Sequence, residues 1–389
     1  MAKAATTAEV SEIMLDFAAR SGLSAGGHAP RRYLWTDAHA VCNFLSLYRR
    51  TGDEQYRDLA VQLIDQVHNV LGRHRDDDPR NGWISGLGED EGREHPTAGG
   101  LRIGKKLNER GRNEPPDERL EWDRDGQYFH YLTKWMHALY RASRVAGESR
   151  YCRWAHELAQ AAHAGFTAQH PVSGGKRLLW KMSIDLSYAV VPASGLHDPL
   201  DGYITYNELG LCTAPYQDTR PLPDLVAEIA DTGAMIVGQR WQTDDPLGIG
   251  GLLFDACRVV QLLAAGRRVS PELATELLQA AEQSLTIFAG QMPLRQPAKQ
   301  RLAFRELGLS IGLRGVAIMQ RIVGNYGQLA ASNMQRELES LRKHMPIAEA
   351  IENYWRKPAN QRAATWLEHR DINAVMLATS LLPEEFLTL

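Results

Sequence analysis

Polar and apolar positions fall into helical stripes along most of the chain, most clearly over 33–71. Val41, Phe44, Leu45 and Tyr48 share one stripe, and Ala38, Ala40 and Leu47 make the opposite side apolar too, as in a helix buried on both faces. After Thr51-Gly52-Asp53 comes a single stripe of Tyr56, Leu59, Ala60, Leu63, Ile64, Val67 and Leu71. Arg57, Asp58, Gln62, Asp65 and Asn69 face the other way, so this second helix lies outside. Gly52 can take the left-handed conformation that ends a helix, and Asp53 can cap the next. The predicted unit is a hairpin of one inner and one outer helix.

The unit recurs. Gly52-Asp53, with Tyr56 and Ala60 behind it, is echoed by Gly147-Glu148, with Tyr151 and Ala155. One hairpin cannot bury both its helices, whereas stacked copies can, so repetition predicts an array or a ring. Helices are expected over 7–21, 127–146 with 148–167, 223–240, 248–265 with 271–290, 308–323 with 330–344, and 371–382 before Pro383. A short inner helix is expected after His197. Residues 24–30 read as a Gly-rich connection. Two stretches lack a sustained period. Residues 73–125, dense in Gly, Pro and charge, read as a long loop insertion, either a lid or binding loop or a disordered surface segment. Residues 183–195 read as a short helix or a loop, and Pro192, Pro215, Pro221 and Pro223 break the chain nearby. Nearly twelve helices alternate inner and outer roles, and the N-terminal helix is expected to partner the last inner one. The expectation is one all-α domain over 1–389, an (α/α)6 toroid. The lack of strands alternating with helices argues against an α/β fold.

Composition narrows the function. The 389 residues carry a net charge of −3, which argues against a nucleic-acid partner. No long uncharged apolar run predicts a membrane span. Glu9, Glu12 and Asp16 make the N-terminus an amphipathic helix rather than a secretion signal. Cys42, Cys152, Cys212 and Cys257 stand singly at mostly apolar positions. They read as buried thiols rather than disulfides or a zinc site, with a reducing cytoplasm as the default location.

In a ring of hairpins the inner-helix starts gather at one end, with unsatisfied N–H groups and variable loops. Those starts carry Trp35, Asp37 and His39; Trp122, Asp123 and Asp125, with His130 close behind; His197, Asp198 and Asp201; Trp241 and Asp245; Glu306; and Arg370 with Asp371. Each acid taken singly is a common helix cap. Acids and indoles at one mouth are what a carbohydrate site needs, because Trp faces stack on sugar C–H surfaces and acids bind hydroxyls or move protons. Asp37, Asp125, Asp201 and Asp371 are the expected catalytic acids, with the others contacting substrate. Crowded carboxylates push one another's pKa apart, which supplies the acid and the base that glycoside cleavage needs.

Asp37 at a helix start, the apolar helix 38–50, Thr51-Gly52-Asp53, and Tyr56 with Ala60 resemble the six-hairpin glycosidase superfamily, nearest to unsaturated glucuronyl and rhamnogalacturonyl hydrolases. The resemblance implies an active-site role for Asp37 and a catalytic acid/base at a later helix start, at Asp125. It covers the first hairpin, and the rest only as architecture; where the family shows a doubled Asp, this chain has Thr36-Asp37.

The expected function is a glycoside hydrolase acting on an oligosaccharide, with Arg370 pairing a uronate if the sugar is acidic. The alternatives are a sugar epimerase, isomerase or polysaccharide lyase using His39, His130, His197 or His369, and a non-catalytic glycan-binding or scaffold ring. No cofactor is expected. His197, Asp198 and Asp201 could hold a metal in principle, but their spacing is not diagnostic, and none is expected. Three motifs are set aside. Gly99 to Lys105 has phosphate-loop spacing but Lys106 where Ser or Thr belongs. Gly308-Leu309-Ser310-Ile311-Gly312 resembles a nucleophile elbow but opens a helix, where small residues let helices approach closely. Gln242-Thr243-Asp244-Asp245 lacks the leading Asp of a terpene-cyclase motif.

Overall fold

The computed structural model describes residues 2–24, 29–171, 174–212, 221–327 and 333–389. Residues 25–28 of the Gly-rich connection, Pro215, and the expected helix start at 330–332 lie outside them. The chain divides into two compact units, residues 18–237 and residues 1–17 together with 238–389. The first helix, α1 (Ala2–Arg20), contributes its larger part to the second unit.

The first unit contains α2 (Leu34–Thr51), α3 (Glu54–Leu71), the short α4 (Glu89–Glu94) and α5 (Glu118–Glu121), α6 (Phe129–Ala146), α7 (Arg150–Phe166), α8 (Asp198–Leu209) and α9 (Val226–Met235). Helix α2 packs on α3 and α6, α6 on α7 and α8, and α8 on α9. Thus α2, α6 and α8 are the inner helices, and α3, α7 and α9 are their hairpin partners. Burial follows the sequence pattern: α2 is buried continuously from Leu34 to Leu47, α3 only along its stripe. Gly52 takes φ +73°, and Asp53 accepts a hydrogen bond from the Gln55 N–H at 3.0 Å, as the turn chemistry predicts.

Five short strands accompany these helices. β1 (Gln127–Tyr128) pairs with β4 (Lys181–Met182), which pairs with β5 (Ala189–Val191). β2 (Thr167–Gln169) pairs with β3 (Lys176–Leu178). The stretch 183–195 is therefore partly strand. Residues 73–125 are ordered by ion pairs instead of a helical stripe. Arg80 binds Asp78 at 2.8 Å and Asp185 at 2.9 Å, Arg110 binds Glu121 at 2.6 Å, and Arg102 binds Asp125 at 2.5 Å.

The second unit contains α10 (Pro246–Ala264), α11 (Pro271–Gln291), α12 (Ala303–Asn325), α13 (Met334–Leu341), α14 (Pro346–Trp355), the one-turn α15 (Pro358–Gln361) and α16 (Ala364–Leu367), α17 (Arg370–Leu381) and α18 (Glu384–Leu387). Helix α12 is its hub, against α10, α13, α14 and α17. Gly250 meets the backbone of Gly308 and Gly312 so closely that a Cβ on any of the three would strike the opposite helix. Ser310 Oγ donates to Glu352 at 2.8 Å and accepts from Ser380 at 2.8 Å, so the Gly-x-Ser-x-Gly run is a close helix crossing. Helices α10 and α12 are long and apolar enough to span a membrane, but their windows are 67% and 61% buried within the protein, as in core helices. Helix α1 lies against the C-terminal helices, with Glu9 paired to Arg356 and Asp16 3.4 Å from Arg370. The N-terminal helix thus partners the last inner one.

Two expectations are corrected. Cys152 and Cys212 are joined by a disulfide across a Cα separation of 6.1 Å, so only Cys42 and Cys257 are buried free thiols. The chain between them folds α7 back beside α8, an approach that spacing alone does not reveal. The cytoplasmic expectation loses the support it drew from four unpaired thiols. Helix α14 was not expected, because its buried stripe of Ala348, Ile351, Glu352 and Trp355 includes an acid, which masks the period.

Candidate active site

The starts of α2, α6 and α8 meet in the first unit around a group of aromatic rings. Trp35 lies 5.3 Å from Tyr131, 5.1 Å from His39 and 6.1 Å from His130, between ring centroids. Tyr128 stacks on His130 at 5.4 Å and tilts toward Trp180 at 5.2 Å. The Tyr33 and Tyr131 hydroxyls share a hydrogen bond of 2.7 Å. Tyr33, His130, Tyr131 and Trp180 are half-buried, so the group presents a solvent-facing aromatic wall. The β1–β4 ladder sets Tyr128 opposite Lys181, which brings Trp180 to the wall from far along the chain.

Proton-carrying groups stand at its edge. His130 Nδ1 lies 3.6 Å from Asp198 Oδ1, beyond hydrogen-bond reach, and neither His130 Nδ1 nor Asp198 Oδ2 has a hydrogen-bond partner. Burial, reinforced by the charge of Asp201, pushes the Asp198 pKa up to about 7 against the pull of Lys134. Burial and then Lys134 push His130 down to about 4. Near neutrality the pair is a carboxyl that holds its proton about half the time and a neutral imidazole. The backbone at Gly195 packs so tightly on the Asp198 carboxyl that a Cβ there would strike it. Asp201 accepts from Thr133 Oγ1 at 2.5 Å and from Lys134 Nζ at 2.7 Å, tying α8 to α6. His39 is neutral, pushed to about 3 by burial. Its Nδ1 lies 2.9 Å from the Trp35 carbonyl, so Nδ1 carries the proton there and Nε2 is the basic nitrogen.

Other expected residues of this unit do different things. Asp37 accepts from the Tyr33 N–H at 2.9 Å and sits 3.4 Å from Arg32, a cap at the start of α2; burial raises its pKa to about 6. Asp125 is fully buried between Arg102 at 2.5 Å, Arg75 at 3.4 Å and the Gly104 N–H at 2.9 Å. Trp122 is 62% exposed beneath Lys105, and Asp123 is exposed. His197 is the residue preceding α8. Lys105 and Lys181 lie 5.7 Å and 5.6 Å from the Tyr128 ring. Burial and the charge of Lys181 push Lys105 down to about 8. Sequence reasoning missed Tyr33, Tyr128, Tyr131, Lys134 and Trp180. The run Gln127-Tyr128-Phe129-His130-Tyr131 was the available signal for two of them, Tyr128 and Tyr131.

In the second unit, Trp241 is buried, and Asp245 caps α10 while pairing with Arg305 at 3.2 Å. Glu306 is buried, binding Arg301 at 2.8 and 2.6 Å and the Trp355 indole at 2.7 Å. Arg370 is exposed beside Asp16, and Asp371 is half-buried in the first turn of α17. Among the described residues, no three His, Cys, Asp or Glu side chains cluster as a metal site would require.

No family model and no curated protein sequence matches the chain. Solved structures resemble it in fold. A family 76 glycoside hydrolase from a bovine Bacteroides thetaiotaomicron strain matches with TM-score 0.54 at 10% identity, covering 98% of this chain and 78% of that one. A D-mannose isomerase matches with TM-score 0.53 at 11% identity, covering 97% of each chain. An inactive variant of an α-1,6-mannanase from Salegentibacter sp. HEL1_6, in complex with α-1,6-mannotriose, matches with TM-score 0.50 at 13% identity, covering 97% and 99%. The fold is the all-α (α/α)6 toroid of helical hairpins.

Proposed function

We propose that this chain is a carbohydrate-active enzyme that moves protons at a sugar through Asp198 and His130, with the sugar ring held on the wall of Trp35, Tyr128, Tyr131 and Trp180. The observation that carries this reading is an acid and an imidazole at the edge of that wall, His130 Nδ1 3.6 Å from Asp198 Oδ1, with His130 Nδ1 and Asp198 Oδ2 both lacking a hydrogen-bond partner. The hydrolases and the isomerase that share the fold are consistent with it.

A neutral imidazole beside a protonated carboxyl favours proton shuttling on one sugar, as in epimerisation or aldose–ketose isomerisation, over cleavage by two carboxyls. His130 would take the proton on the carbon next to the carbonyl, and Asp198 would give one to the carbonyl oxygen. Hydrolysis is the second reading: the same acid could protonate a glycosidic oxygen, since its raised pKa suits that task. The narrower expectation of unsaturated uronyl hydrolysis leaned on Asp37 and Asp125, both of which are paired with arginine here. An acidic sugar draws its support instead from Lys105 beside Tyr128, since Lys181 is fully buried on Glu121 and Arg124.

The test is incubation with mannose, fructose, cellobiose and α-linked manno-oligosaccharides in D2O, followed by NMR. Deuterium appearing at the carbon next to the carbonyl, without chain cleavage, supports the first reading. New reducing ends support the second. Turnover that persists in both Asp198→Asn and His130→Ala overturns the assignment of these residues.

A further inference from the structure

A separate cavity of about 330 Å³ lies on the outer-helix side of the first unit. Asp65, His68 and Asn69 from α3, Trp83, Arg93 and Pro96 from the ion-paired segment, and Arg150 and Trp154 from α7 line it. None of them belongs to the aromatic wall or to the Asp198–His130 pair.

Its wall contains a buried donor with nothing to donate to. The Trp135 indole N–H donates to His68 Nε2 at 3.0 Å, so Nε2 is the acceptor and the ring's proton sits on Nδ1. His68 is 2% exposed, and burial, with the charge of Arg150, pushes its pKa to about 3, so the ring stays neutral. Nδ1 has no hydrogen-bond partner, and the Trp83 indole N–H, also buried, has none. A buried donor left without an acceptor is costly to the fold, and an acceptor entering the cavity would recover that cost. Arg93, 3.0 Å from Glu89, and Arg150, 2.7 Å from Glu148, also line the cavity, with their side chains 67% and 47% exposed. Asn69 donates its amide N–H to the Asp65 carbonyl at 2.8 Å, which leaves its side-chain oxygen as an acceptor beside the Asp65 carboxyl.

We propose that this cavity is a binding site for a small hydroxylated carboxylate of monosaccharide size, its carboxylate taken by His68 Nδ1–H with Arg93 and Arg150, and its hydroxyls by Asp65 and Asn69. The site does not depend on the catalytic reading above. A charge-assisted contact to arginine is strong and directional, and a neutral sugar of equal size cannot make one.

Calorimetric titration of the full chain with gluconate, galacturonate, benzoate and glucose tests it. Gluconate or galacturonate is expected to bind, and which of the two binds tighter separates an open-chain acid from a ring acid; glucose and benzoate are expected to bind at least about tenfold more weakly. The double variant R93Q/R150Q, altering two exposed side chains outside the catalytic wall, is expected to weaken binding of the acid by at least about tenfold while its melting temperature and any turnover stay at wild-type values. Binding of neither acid, glucose binding as tightly as the acids, or full affinity in the double variant would each overturn the proposal.

Discussion

Asp198 is a residue kept at a cost. Its folded pKa of about 7 lies well above the ordinary 3.8, so the folded chain holds this proton more tightly than the unfolded one. The associated stability is therefore present below about pH 4 and is lost as pH rises through about 7. Asp37, raised to about 6, acts with the same sign. His130, His39 and His68 act oppositely: their folded values lie below the ordinary 6.5, so their contribution is present above that pH and is lost on acidification. Asp198→Asn mimics the neutral carboxyl and is expected to stabilise the protein at pH 8 by up to about 4 kcal/mol while lowering turnover by about a hundredfold or more. Chemical denaturation at pH 5 and pH 8, beside a rate measurement, checks both; a variant that loses stability at pH 8 would contradict the burial argument. Turnover that uses the protonated acid is expected to fall as pH rises through about 7.

At the scale of elements, each hairpin depends on its turn and each inner helix on its buried partners. Gly52 sits at φ +73° with open space around the position of a Cβ, so Gly52→Ala meets backbone strain alone, and a loss of about 1 kcal/mol in urea unfolding is expected. Glu306→Ala strands Arg301 and the Trp355 indole in the interior and is expected to cost about 3 kcal/mol, read as a lowered melting temperature, without changing the first unit's site. Hairpins were legible because stripe, Gly and Asp coincide, as at Val41 to Tyr48, Gly52 and Asp53. The site was legible in part. Of the proposed site, His130 and Asp198 were read as substrate contacts and Asp201 as a catalytic acid from their place at helix starts, but Trp180 reaches the wall only through a pairing between residues 127–128 and 181–182, which leaves no local period. Nor does an Asp at a helix start reveal whether it will accept from the backbone beside an arginine, as Asp37 does, be enclosed by arginines, as Asp125 is, or keep a carboxyl oxygen without a hydrogen-bond partner, as Asp198 does.

On the scale of the molecule, the Cys152–Cys212 bond closes a loop across 60 residues of the first unit. Reducing it is expected to lower stability by about 2–4 kcal/mol, chiefly by freeing the unfolded chain. Thiol counting in denaturant should find two reactive cysteines before reduction and four after; four at the outset would mean the bond does not form. The second unit has a different peculiarity, since α1 pairs with helices more than three hundred residues downstream, Glu9 with Arg356 and Asp16 with Arg370. A ribosome releases α1 well before its docking surface, which emerges after a delay on the order of tens of seconds. Throughout that interval Val10, Met14 and Phe17, fully covered in the finished fold, are bare on the nascent chain, which makes this short stretch the natural handle for a chaperone during translation.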